Sequence, residues 1–139
     1  MKIRVVTLLC AIALTFGAVS SAFAAVAVPN PLSPASGANL TSPLTISWSA
    51  VTDSSGILGY NWQVSTSSTF PTIALQNSTN AGITQDTVSG LPNGTYFWRV
   101  QAVSGAFVKS AWSAARSFNI TGASAGQPGA PTMSPTKAY

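Results

Sequence analysis

The sequence predicts an all-β sandwich, and three observations lead there. Short runs alternate apolar and polar residues, turn-forming residues separate them at regular spacing, and no stretch behind the N-terminal segment sustains a helical period. Leu44-Thr45-Ile46-Ser47-Trp48 sets Leu, Ile and Trp on one face and Thr and Ser on the other, as the two-residue period of a strand requires. Tyr60-Asn61-Trp62-Gln63-Val64-Ser65 repeats the pattern with Tyr60, Trp62 and Val64 inward. Ile73-Ala74-Leu75 is a weaker strand behind a Ser/Thr-rich stretch, and Ile73–Asn77 is expected at a sheet edge with few charges to guard it. Tyr96-Phe97-Trp98-Arg99-Val100-Gln101-Ala102 is the clearest run, with Tyr96, Trp98, Val100 and Ala102 inward. Phe118 and Ile120 belong to a last strand ending near Thr121.

The N-terminus carries an export signal in three parts. Met1-Lys2-Ile3-Arg4 is basic, Val5 to Val19 is apolar, and Ala22-Phe23-Ala24 offers small residues for cleavage before Ala25. The apolar run is shorter than the ~20 residues of a spanning helix, so no membrane span is expected after cleavage. The chain is therefore expected to be secreted, extracellular or periplasmic. The expected organisation is a signal peptide over 1–24, an extended lead-in over 25–34, a β-sandwich over 35–121, and a flexible Gly/Ala/Ser/Pro tail or linker over 122–139. Cys10, the single cysteine, falls in the signal, so core packing alone holds the domain.

Composition removes most chemistry. Charged residues make up 6% of the chain, against about 25% in an ordinary soluble protein. After cleavage Arg99, Lys109, Arg116 and Lys137 stand against Asp53 and Asp86, a net charge of +2. So few and scattered charges do not suit nucleic acid. There is no His and no Glu, which removes the usual acid–base and metal-ligating groups, so neither catalysis nor a cofactor nor a metal is expected.

Leu91-Pro92-Asn93-Gly94-Thr95-Tyr96-Phe97-Trp98-Arg99-Val100-Gln101-Ala102 resembles the E–F turn and F strand of a fibronectin type III domain, in the form common in bacterial extracellular proteins. The resemblance extends over roughly residues 30 to 121, with Trp48 matching strand B and Tyr60 and Val64 strand C. It implies a seven-stranded antiparallel immunoglobulin-like sandwich, with Trp48, Tyr60, Trp62, Leu91, Tyr96, Trp98 and Val100 defining the fold. It also implies a tyrosine corner, in which the Tyr96 hydroxyl returns to backbone across the E–F turn. One residue departs from the pattern. Asp86 falls in phase with Val88, which points a carboxylate inward; because an unpaired buried charge is costly, a bulge or an edge position is expected there.

Ser110-Ala111-Trp112-Ser113 resembles the S-x-W-S step before strand G, half of the W-S-x-W-S ladder of cytokine receptors, with Lys109 where the first Trp would stand. Arg99 points outward if Trp98 points in, so its guanidinium can stack on Trp112, with Phe97 widening the patch. A packing brace is the first expectation for this pair; the alternative is a ligand platform, for which Phe97, Arg99 and Trp112 are the candidate ligand or partner surface. The expected role is a secreted spacer, adhesion or protein-interaction module, monomeric or in tandem. The alternative is a carbohydrate or cell-wall-binding accessory domain.

Overall fold

The computed structural model describes residues 24–122. The expected signal peptide, apart from its last residue Ala24, and nearly all of the expected tail lie outside the described residues. The strands are β1 (Pro31–Ser33), β2 (Ala38–Leu40), β3 (Leu44–Trp48), β4 (Ile57–Ser65), β5 (Leu75–Asn80), β6 (Gln85–Val88), β7 (Gly94–Ser104) and β8 (Arg116–Ile120). They form a three-stranded sheet in the order β1-β3-β6 and a five-stranded sheet in the order β2-β8-β7-β4-β5. The result is the all-β sandwich the alternation predicts.

Eight strands appear where seven are implied, because the first is split between the sheets. β1 pairs with β3. The chain then breaks at Pro34, which has no N–H to give a ladder, and turns through Gly37 at φ 79°. β2 continues on the opposite sheet, parallel to β8 with Ala38 beside Phe118; the other named pairings are antiparallel. The sandwich also begins before residue 35: Val26 and Pro29 are buried, and Pro31 pairs with Trp48. The weak strand is displaced, running Leu75–Asn80 rather than Ile73–Asn77, and it does occupy a sheet edge.

The inward faces form one core. Ile46 and Trp48 from β3, Val64 from β4, Trp98 and Val100 from β7, and Phe118 and Ile120 from β8 are all essentially inaccessible to solvent. Trp48 lies against Tyr60 and Trp98, with ring centroids 5.7 and 6.4 Å apart and tilted planes, the edge-toward-face geometry aromatic pairs prefer. Leu91 and Tyr96 close one end. The Tyr96 hydroxyl donates to the Pro92 carbonyl at 3.0 Å, the tyrosine corner implied above.

Strand direction places the two ends of the described chain at opposite poles. Pro31 stands beside Trp48 at the end of β3, and Val26 is buried near the Asp53–Ser55 and Ser104–Val108 loops. β8, parallel to β2, ends with Ile120 beside Leu40, and Thr121 donates to the Leu40 carbonyl at 2.8 Å.

Candidate functional site

The outer face of the five-stranded sheet carries the candidate residues. β7 pairs with β8 only as far as Trp98. Beyond it, two serines of the 110–113 step stand in for a neighbouring strand. The Ser113 N–H donates to the Val100 carbonyl at 2.8 Å and its hydroxyl accepts from the Val100 N–H at 3.1 Å. Ser110 does the same for Ala102, both at 2.9 Å. A side-chain oxygen thus replaces a strand carbonyl twice, and no buried β7 donor is orphaned there. Trp112 lies in this step, ahead of β8 rather than at its start.

Between the serines, Trp112 is laid over Arg99, with the guanidinium carbon 4.5 Å from the ring centroid. A second ring, Phe70, covers the same guanidinium at 4.1 Å. Phe70 comes from the β4–β5 connection and holds φ 55°, a left-handed conformation uncommon for an aromatic residue. Arg99 is therefore enclosed by two rings, and burial lowers its pKa from the ordinary guanidinium value. Its Nε and Nη2 both donate to Gln63 Oε1, at 3.2 and 2.9 Å. Gln63 Nε2 donates in turn to Gln76 Oε1 at 3.2 Å. A directed row of donors thus crosses three strands from β7 to β5.

The structure brings Arg99 and Trp112 together, while Phe97 is half-buried between Ser65 and Ser117 on the flanking strands. Phe70 was not singled out from the sequence. Its only local signal is a lone aromatic in a Ser/Thr stretch, ahead of Pro71.

Beside this brace lies a groove of about 430 Å³. Asn61, Gln63 and Gln101 line it from β4 and β7, Gln76 and Ser78 from β5, and Lys109 and Trp112 from the serine step. Neither Asp53 nor Asp86 lines it.

The two aspartates lie apart. Asp53 accepts the Ser55 N–H and hydroxyl at 2.9 and 2.6 Å, which lowers its pKa from the ordinary value. Asp86 is half-buried on β6, an edge strand, and accepts from Trp62 Nε1 and Asn77 Nδ2 at 2.9 and 3.0 Å. Among the described residues no group of three His, Cys, Asp or Glu is placed to hold a metal, and no helix is long and apolar enough to cross a membrane.

No protein-family model matches the chain, and no curated protein matches it. Solved structures do. A β-1,2-glucanase from Parabacteroides distasonis is 18% identical with a TM-score of 0.53, over 70% of this chain and 13% of that one. The chicken CNTN1 FN1–FN3 domains are 17% identical with a TM-score of 0.52, over 68% of this chain and 33% of theirs. The fibronectin type-III domain of human fibronectin type III domain containing protein 3 is 20% identical with a TM-score of 0.50, over 81% of this chain and 99% of that domain. The chain thus spans a small part of the first two. With its split first strand, two-sheet order and tyrosine corner, it has a fibronectin type III-like fold.

Proposed function

We propose that the chain is an exported, non-catalytic module that acts as a spacer or protein-interaction domain outside the cytoplasm. The observation that carries this reading is the placement of the described ends at opposite poles of the sandwich. A domain entered at one pole and left at the other transmits length along its axis and strings end to end without doubling back. The dispersed carboxylates support the non-catalytic part, since each is engaged in its own hydrogen bonds. The export signal supports the location.

Expression in an exporting bacterium tests the route, with a product beginning at Ala25 as the expected result. Two copies joined through residues 122–139 test the geometry by small-angle scattering. An elongated particle about twice the length of one copy is expected, and side-by-side collapse would count against a spacer.

A second reading, glycan recognition, is favoured by the groove beside Trp112. An aromatic wall with several carboxamides matches the mixed surface of a sugar, apolar on its C–H faces and polar at its rim.

A further inference from the structure

We propose that this groove binds a carboxylate-bearing saccharide, a uronate-type sugar, through Lys109, Gln101 and the free amides of Asn61 and Gln76; the proposal rests on the glycan reading above. The first observation is Gln101. Its residue is 6% exposed, it lines the groove, and its carboxamide makes no hydrogen bond to another described residue. The residue is buried but its amide atoms are not sealed from solvent, so what accessibility they keep is toward the groove that Gln101 lines. An amide left open toward a groove is satisfied there by ligand or water.

The second observation is the direction of the neighbouring bonds. Arg99 has donors only, so the Gln63 atom facing it is the oxygen. The Gln63 amide nitrogen must then donate to Gln76 Oε1, leaving the Gln76 Nε2 hydrogens uncommitted. Ser78 Oγ donates to Asn61 Oδ1 at 2.7 Å, which likewise leaves the Asn61 amide nitrogen free. Lys109, exposed at the rim, adds an ammonium.

The groove therefore offers a surplus of donors and one full positive charge, with no carboxylate among its lining residues; Asp86 is held by the indole of Trp62 and the amide of Asn77, two lining residues. Its volume lies within the usual ligand-pocket range of about 300–1,000 Å³. Every hydroxyl of a neutral sugar brings an O–H donor along with its acceptor lone pairs. A uronate replaces one donor-bearing arm with two acceptor oxygens, which suits Lys109 and the amides. Trp112 offers the ring a surface where Arg99 leaves it uncovered.

The test titrates the full-length product with trigalacturonate and with cellotriose by calorimetry and amide NMR. Both are repeated with Gln101→Met and Lys109→Ala, each checked for the wild-type thermal transition. Trigalacturonate is expected to bind and to shift amides of β4, β5 and β7. Each variant should weaken that binding at least about tenfold, the scale of one lost charge-assisted hydrogen bond. Equal binding of cellotriose, untouched by Lys109→Ala, overturns the acidic-sugar proposal while leaving glycan recognition standing. No binding of either sugar overturns both and leaves the spacer geometry intact. Binding that survives both substitutions places the sugar elsewhere and also overturns the proposal.

Discussion

Trp62 on β4 donates its indole N–H to Asp86 on β6 at 2.9 Å, and this bond joins the two sheets of the sandwich along one open side. The same carboxylate oxygen takes a second bond from Asn77 on β5 at 3.0 Å, while Oδ1 accepts the Thr87 N–H at 2.8 Å. β5 and β6 are edge strands of different sheets. Asp86 is thus a charged seam between edges that have no ladder to share. The other two core indoles differ: Trp48 Nε1 and Trp98 Nε1 are buried with no hydrogen-bond partner among the described residues.

That contrast sets an expected order of stabilities. Trp62→Phe loses a bond to a charged group, a loss of about 1.5–3 kcal/mol beyond the smaller ring. Trp98→Phe removes an N–H that already lacks a partner, so part of its packing loss is offset. A double-mutant cycle of Trp62→Phe with Asp86→Ala in urea is expected to show a coupling of at least ~1 kcal/mol. Zero coupling would remove the seam from the stability of the fold. Trp98→Ala, which empties the centre, should cost ~3–5 kcal/mol.

The tyrosine corner carries a pH dependence. Burial raises the Tyr96 phenol above its ordinary value, so its folded pKa exceeds the unfolded one. The associated stability is fully present below the ordinary phenol value, near 10, and is lost as pH rises through the folded pKa. Denaturation midpoints measured from neutral pH into the alkaline range should fall more steeply for the wild type than for Tyr96→Phe. At neutral pH the variant should be weaker by about 0.5–1.5 kcal/mol, the worth of its bond to Pro92. Parallel curves would detach the alkaline loss from this hydroxyl.

Gly59 is required by contact rather than by conformation. A Cβ at this position would overlap the Thr79 carbonyl oxygen on the paired strand β5. Gly59→Ala must move backbone and is expected to cost at the upper end of ~1–3 kcal/mol. Hydrogen exchange should show β5 amides opening before those of β7; uniform loss of protection would place the damage elsewhere.

Arg99 holds Phe70 and Trp112 by its plane as well as its charge. Arg99→Lys keeps the charge but gives up flat stacking and the two-pronged bond to Gln63. It is expected to lose ~1 kcal/mol, within the usual range for cation–π contacts, and to increase Trp112 fluorescence quenching by solvent. An unchanged midpoint and spectrum would show that the rings hold themselves.

Much of this arrangement was legible in the sequence. Alternation placed Trp48, Tyr60, Trp62, Trp98 and Val100 inside, and the Leu91–Tyr96 turn placed the corner, because each is fixed by neighbours along the chain. The pairing of Arg99 with Trp112 is legible too, since Arg99 lies on β7 and Trp112 on the segment fastened alongside it. What escaped was Phe70, which reaches Arg99 from another connection through a left-handed backbone that no periodicity announces. Asp86 is half-legible: its phase points inward and its edge position is expected, but its side-chain donors, Trp62 and Asn77, lie on strands of the opposite sheet. The amide-lined groove follows from the β4–β5–β7 register, which no local pattern supplies.

The serine step has a consequence for how this surface evolves. Because Ser110 and Ser113 fasten the segment to β7 through both backbone and hydroxyl, the residues around them are relieved of holding it in place. Ala111 and Lys109 are exposed and Trp112 is half-exposed, so they can change identity while the segment keeps its path. The step is thus a mounting rail along the groove: the screws are two small hydroxyls, and the fitting between them is exchangeable.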